Sequence, residues 1–256
     1  MYNLKLQTKE NLKPLYLKSV VVSFLLIATF AFILLINVFF SVLVKQNGIA
    51  LLSESFINLI LYVCLLNPLL YGVLYWFYYS LSGNNIKLFE CFYFFGNSKN
   101  YKRAVSLSIK ATLRTSFIYF VFSIPTFLNS YFKYGEIFND IFGLFSTIGL
   151  FLCIYQQLKY FVAPILLIND SSLSASGALY LSAEISFNNK LNILGFILGF
   201  FGYFLLCFFV FPAIFILPYY LACYCNKCKE LINKYNYSVK TINRKFYKNY
   251  FNFLKR

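Results

Sequence analysis

From Leu191 to Cys225 the chain runs for 35 residues without one charged side chain, interrupted only by Pro212 and Pro218. As a single helix that stretch would be roughly 52 Å long, against a bilayer hydrocarbon core of about 30 Å. Two minimal crossings of roughly 17 residues each would fit. The block therefore either leaves and returns, folding near Val210 to Pro212, or holds one span with a re-entrant loop. Four other apolar runs precede it, near 20–44, 56–81, 111–128 and 138–158, and only 12% of all residues are charged while 60% are apolar. Charge-free runs of this length specify an all-α, polytopic transmembrane helical bundle.

Basic residues set the direction of the crossings. With the N-terminus inside and every run crossing, 21 of the 23 Lys and Arg fall on the inner side, leaving Lys45 and Lys133 outside. That asymmetry satisfies the positive-inside rule. The tail 226–256 is rich in Lys and Arg, so it belongs inside. The last block must then cross twice, giving about six spans, near 20–44, 56–81, 111–128, 138–158, 191–209 and 212–228, with N- and C-termini cytoplasmic. Residues 1–19 are a basic cytoplasmic segment and the first run is an uncleaved span, since it exceeds a signal peptide's apolar region of roughly 7–15 residues.

Two segments between the runs read as amphipathic cytoplasmic helices. One lies near 84–103, where Ile86, Phe89, Phe92 and Tyr93 recur at helical spacing ahead of Lys99, Lys102 and Arg103. The other lies near 171–188 and opens on an Asp-Ser-Ser start signal. The YFVAPILLI stretch after Lys159 reads as an interfacial continuation of the fourth span, and Tyr75, Trp76, Tyr78 and Tyr79 as an aromatic belt closing the second.

The same residues limit the chemistry. There is no His in the chain, and no Asp, Glu, Lys or Arg at mid-span. His-based relays, HExxH zinc sites and Ser-His-Asp triads are excluded, as are Walker and GxGxxG nucleotide motifs. No catalytic residue, cofactor or metal is assigned. Asn67-Pro68, in the middle of the second run, frees a backbone carbonyl and breaks the helix. Such an element serves either as a packing kink or as the broken helix of a transporter site. Gly195, Gly199 and Gly202 form a small-residue face suited to close helix approach, within the chain or in a homo-oligomer. The aromatic and basic tail from Lys234 to Arg256 suits anionic headgroups at the membrane surface. No nucleic acid partner is expected.

Cys223, Cys225 and Cys228 have the look of a metal or redox motif. On a helix Cys225 and Cys228 share a face, but Cys223 points about 200° away from Cys225. Convergence would need local unwinding and a fourth ligand from elsewhere. The alternative reading is the cytoplasmic exit of the last span.

The run NDSSLSASGALYLSAE (169–184), followed by LGFFGYFLL (198–206) and ILPYYLACY (216–224), resembles the uncharacterised bacterial integral membrane family called domain of unknown function 975. NPLLYGVLYWFYYSL with the later LFECFYFF, within 67–95, is similar to that family's earlier segment. The resemblance singles out Asn67, Pro68, Gly72, Asp170, Ala178, Ser182, Gly202, Tyr203, Pro218 and Tyr219 as structural positions. Two departures stand out: Ser171 and Ser172 follow Asp170 where the family tends to have Pro, and Tyr203 replaces a Trp. The resemblance implies a multi-pass protein of the bacterial cytoplasmic membrane and supplies no activity. The expected role is a non-catalytic scaffold, regulator or accessory subunit, with other membrane subunits or a second copy as partners. The alternative is a permease subunit served by a separate ATPase.

Overall fold

A computed structural model describes residues 2–43, 56–132, 136–207 and 210–254, and every element in them is helical. Helix α1 (Tyr2–Leu12) runs through a 3-10 turn at Lys13–Leu15 into α2 (Tyr16–Leu43). Next come α3 (Phe56–Ser80), α4 (Ser98–Phe132) and α5 (Glu136–Lys159). Three short helices follow, α6 (Ala163–Asn169), α7 (Ala175–Phe187) and α8 (Lys190–Leu198), then α9 (Phe201–Leu206) and α10 (Val210–Leu254). Lys45 and Lys133, which carry the outward charge in the orientation argument, lie outside the described residues, as do the last two positions of the expected span 191–209.

Four helices in the described residues are long and apolar enough to cross a membrane: Asn3–Phe40, Phe56–Ser80, Ser98–Asn129 and Asp140–Asn169. A fifth arises if Ala175–Phe187 and Lys190–Leu206, bent by 89° at their junction, count as one broken span. The expected span 191–209 is not straight: α8 stops at Leu198 and α9 starts at Phe201, separated by Gly199 and Phe200. The expected span 212–228 opens α10, but its charge-free stretch from Val210 to Asn226 ends at Lys227 after seventeen residues and the helix continues into the basic tail.

Aromatic and aliphatic side chains on the outside of α2, α4 and α5 are widely exposed, among them Phe39, Phe117, Phe127 and Phe151. This is the surface of helices made to meet lipid. The protein's own core lies where α3, α6, α7, α8 and α10 converge, around Trp76, Phe77, Ile165, Leu179, Phe196 and Leu231. Three expectations change here. Trp76 is 1% exposed and belongs to this core, not to an interfacial belt. The YFVAPILLI stretch is also internal, since Val162, Ile165 and Leu167 are buried against protein. Helix α7 matches the expected 171–188 element in extent, but Ala178, Leu179, Ser182 and Ser186 are buried, so it packs within the bundle.

The amphipathic helix expected near 84–103 is absent. Gly83, in the left-handed region at φ 86°, ends the chain's path out of α3. A 3-10 turn at Leu88–Phe92 follows, and α4 begins only at Ser98, where the Asn97 side chain accepts from Lys99 N–H at 2.9 Å. Tertiary packing overrides the helical spacing: Cys91 and Phe94 are buried while Phe89 points out, and Tyr93 stacks on Tyr75 at 4.1 Å between centroids. Gly72 makes this possible. A Cβ there would come within 2.9 Å of the carbonyl carbon of Cys91 and closer still to its oxygen.

Gly72→Ala should therefore push the 88–94 turn off α3 and lower stability by about 1–3 kcal/mol, the usual range for overpacking. Thermal unfolding in detergent, followed through the fluorescence of the single Trp, measures this. A midpoint equal to wild type would contradict the close approach.

Candidate functional site

Polar side chains in this bundle gather where helices break, because each break releases backbone groups that an apolar medium cannot pair. Three such corners contain the positions singled out in the sequence.

The first joins α5, α6 and α7. After Lys159 the backbone turns, and Ser182, wholly buried on α7, donates to Lys159 O at 2.8 Å and accepts from Val162 N–H at 3.2 Å. One hydroxyl thus satisfies both sides of the break. Ala178, one turn earlier and equally buried, keeps α7 close. Beyond α6, the Asp170 carboxylate accepts from Ser172 N–H at 2.8 Å and Ser172 Oγ at 2.6 Å, and Ser174 caps α7 by accepting from Gly177 N–H at 3.1 Å. Arg103 reaches over from α4 and donates to Leu167 O (3.2 Å), Asp170 O (2.6 Å) and Leu173 O (2.9 Å). Hydrogen bonds from Ser172, with smaller help from Leu173 N–H and the Arg103 charge, hold the Asp170 carboxyl below its ordinary value of 3.8. A depressed carboxyl stabilises the fold above that ordinary value, and the contribution fades as pH falls through the lower folded value.

The second corner is the break between α8 and α9. Lys5 of α1 donates to Gly199 O at 2.7 Å and lies 4.4 Å from the centre of the Phe200 ring and 5.0 Å from that of Tyr203. Tyr219 stands 6.3 Å from Tyr203 and donates to Lys5 O at 3.4 Å. Tyr203 and Tyr219 thus help enclose a cation supplied by the N-terminal helix. Pro218 lies inside α10 just before Tyr219. Gly202 and Gly195 face open space, with nothing within 4 Å of a Cβ built there, so at these two positions the small-residue face meets no helix among the described residues.

The third corner is Asn67-Pro68. Tyr62–Leu66 widens into a π-turn, with Asn67 N–H donating to Tyr62 O. Pro68 has no N–H for Cys64 O, and Tyr101 OH of α4 takes that carbonyl at 2.9 Å. The widened turn borders a chamber of about 600 Å³ between α3, α4, α5 and α10, whose lining includes Asn67, Tyr71, Thr112, Thr115, Gln157 and Tyr224.

The cysteine triplet does not converge as a ligand set. Cys223, Cys225 and Cys228 are fully buried, with Cys225 Sγ 3.8 Å from Leu74 O and Cys228 Sγ 3.9 Å from Phe161 O. Among the described residues no three His, Cys, Asp or Glu side chains are grouped as metal ligands. Beside them Asn226 donates to Thr8 Oγ1 at 2.9 Å and Lys229 donates to Tyr78 O at 2.7 Å, fixing α10 to α1 and α3.

Arg103, Lys5 and Tyr101 were not singled out by sequence reasoning. Each acts on a carbonyl from a distant stretch of chain, and nothing in its own neighbourhood signals that partner. The one available hint was Pro68, which announces a free carbonyl four residues earlier without saying what takes it.

Ser182→Ala should leave Val162 N–H and Lys159 O unpaired, at about 1–3 kcal/mol for each group. Lys5→Met should loosen α1 by about 1–3 kcal/mol through loss of a charged hydrogen bond and its aromatic contacts. Denaturant titration in mixed micelles checks both, and wild-type midpoints would remove these joints from the account.

No family model matches the chain, and no curated protein or solved structure is significantly similar to it.

Proposed function

We propose that the chain is a non-catalytic subunit of a bacterial cytoplasmic membrane, a scaffold, regulator or accessory component embedded by about six crossings with both termini inside. The observation that carries this reading is the set of side-chain ties between elements that are remote in sequence. Arg103 binds the 167–173 turn, Lys110 donates to Ser176 Oγ at 2.6 Å, Lys229 holds the end of α3, and Asn226 holds α1. These residues come from the segments expected on the cytoplasmic side, and the tie from Asn226 to Thr8 of α1 supports placing both termini on one side. Long polar side chains committed to carbonyl and hydroxyl oxygens of distant elements make a rigid platform, and the widely exposed apolar flanks of α2, α4 and α5 suit lipid or neighbouring membrane subunits. The resemblance to the domain of unknown function 975 family points to the same architecture. The basic tail anchors to anionic headgroups.

A second reading, a permease subunit working with a separate ATPase, draws on the broken helix at Asn67-Pro68 and the chamber beside it. Extraction in a mild detergent separates the two. Under the first reading the protein elutes as a homo-oligomer or with other membrane subunits. Stoichiometric recovery of a soluble ATPase would replace it with the second.

Orientation needs an engineered probe, because Cys223, Cys225 and Cys228 are too buried for any maleimide to report sidedness. Cysteine introduced as Asn85→Cys, on an exposed turn after α3, should stay unlabelled by an impermeant maleimide in intact cells and react after permeabilisation. Labelling from outside would reverse the topology.

A further inference from the structure

We propose that the groove between α1, α9 and α10 is a binding site for one anionic glycerophospholipid of the phosphatidylglycerol class, its phosphodiester held by Lys9 and Lys13 and its acyl chains lying against α10. The groove has a volume of about 910 Å³, within the range of pockets that enclose small-molecule ligands. Its two walls differ in chemistry. Leu6, Lys9, Glu10 and Lys13 line one side, at the i, i+3, i+4, i+7 spacing of a single helix face. Tyr203, Phe215, Ile216 and Tyr219 line the other, all from the charge-free block that follows Lys190. A basic wall facing an apolar one is what an amphiphile with a negative head and hydrocarbon chains requires.

Charge selects the head. Lys9 and Lys13 are both exposed and stand about one helical turn apart, so two ammonium groups can reach one phosphate. Glu10 offsets part of this: two lysines and one glutamate leave the lining at +1, the complement of a singly charged phosphodiester. Lys5 adds a further positive charge beside the groove, its ammonium fixed on Gly199 O at 2.7 Å and 5.0 Å from the centre of the Tyr203 ring. Three tyrosines complete the polar lining. Tyr219 OH donates to Lys5 O at 3.4 Å, and Tyr203 packs against Tyr219 at 6.3 Å between centroids. With Tyr16 they supply amphipathic rings, which suit the glycerol and ester level of a leaflet.

The groove's place in the chain favours a lipid over a solute. Lys18 is the last charge before the uncharged run of α2, so Lys9 and Lys13 lie just ahead of the apolar part of a helix long enough to cross a membrane. Leu6, Tyr203 and Phe215 are 42%, 40% and 43% exposed, which leaves the groove open along its apolar side. A soluble phosphate would use the lysines and leave Phe215 and Ile216 without a role. A phospholipid uses both walls at once. The inference needs only that α2 and α10 meet the bilayer, so it holds whether the chain is a scaffold or a permease subunit.

The test uses the full chain in phosphatidylcholine nanodiscs doped with a phosphatidylglycerol that carries a diazirine on its acyl chain, and a phosphatidylcholine probe of the same chain length as the zwitterionic comparator. Peptide mapping after photolysis should place the phosphatidylglycerol label on 6–16 and 203–219, displaced by unlabelled phosphatidylglycerol and not by inorganic phosphate. Lys9→Gln combined with Lys13→Gln should weaken the affinity read from that displacement about thirtyfold, the effect of two lysines beside an anionic headgroup. Both lysines are exposed, so the unfolding temperature should match wild type; a clear drop would make them structural and overturn the assignment. Ile216→Phe keeps every charge, narrows the groove and should remove most of the label independently. Lys99→Gln combined with Lys102→Gln, exposed lysines that do not line the groove, should leave the affinity unchanged. Equal labelling by the phosphatidylcholine probe, displacement by inorganic phosphate, an equal loss in the Lys99 and Lys102 pair, or wild-type labelling in both groove variants would each sink the proposal.

Discussion

Backbone groups released inside an apolar medium must find partners within the chain, and the architecture of this protein follows from how that requirement is met. An unbroken helix meets it by itself, as α2 does. The chain nevertheless breaks at Pro68, at Tyr160–Val162, at the 167–173 turn and at Gly199, and each break releases backbone groups that need partners, at several kcal/mol apiece wherever the surroundings are hydrocarbon. Tyr101, Ser182, Arg103 and Lys5 are the answers. They come from α1, α4 and α7 and act on carbonyls of other elements, so satisfying the backbone also fixes which helices are neighbours.

This gives the basic residues two roles. By number and placement they determine which side of a membrane a segment prefers. By geometry, Lys5, Arg103 and Lys229 are also hydrogen-bond donors to carbonyl oxygens, a use for which cations are well suited because a charged donor makes the stronger bond. The aromatic excess has a related use around Lys5, where Phe200 and Tyr203 present ring faces to an ammonium that enters the bundle. A chain with few charges has placed some of them at its joints.

Apolar runs were legible because a span is a local property: α2, the two halves of α3 and α5 fall near their expected positions. Asn67-Pro68 was legible as a break because proline's missing N–H is a local fact as well. What filled the break was not, since Tyr101 lies 37 residues away. The misread helix near 84–103 has the same origin. Its apolar spacing is real, but Gly72 opens a place on α3 that only a tight turn can occupy, and burying Cys91 and Phe94 there outweighs helix continuity. Likewise Asp170, Ala178 and Ser182 were marked as positions that matter, while their jobs, Ser182 closing the joint with α5 and Asp170 ordering the turn that Arg103 of α4 binds, required the third dimension.

The cysteine triplet shows why spacing alone misleads in a membrane protein. Three sulfur atoms in six residues suggest a shared ligand, yet a thiol is also a small, weakly polar group that a crowded apolar corner accepts easily. Here each thiol has its own surroundings: Cys225 lies under Leu74 O, Cys228 under Phe161 O, and Cys223 is closed off near Tyr219 and the α1 surface. The same accounting applies to unpaired polar atoms of the core. Trp76 Nε1 and Ser186 Oγ lack partners among the described residues, but they sit in close-packed interior, where there is no space for a ligand to supply one.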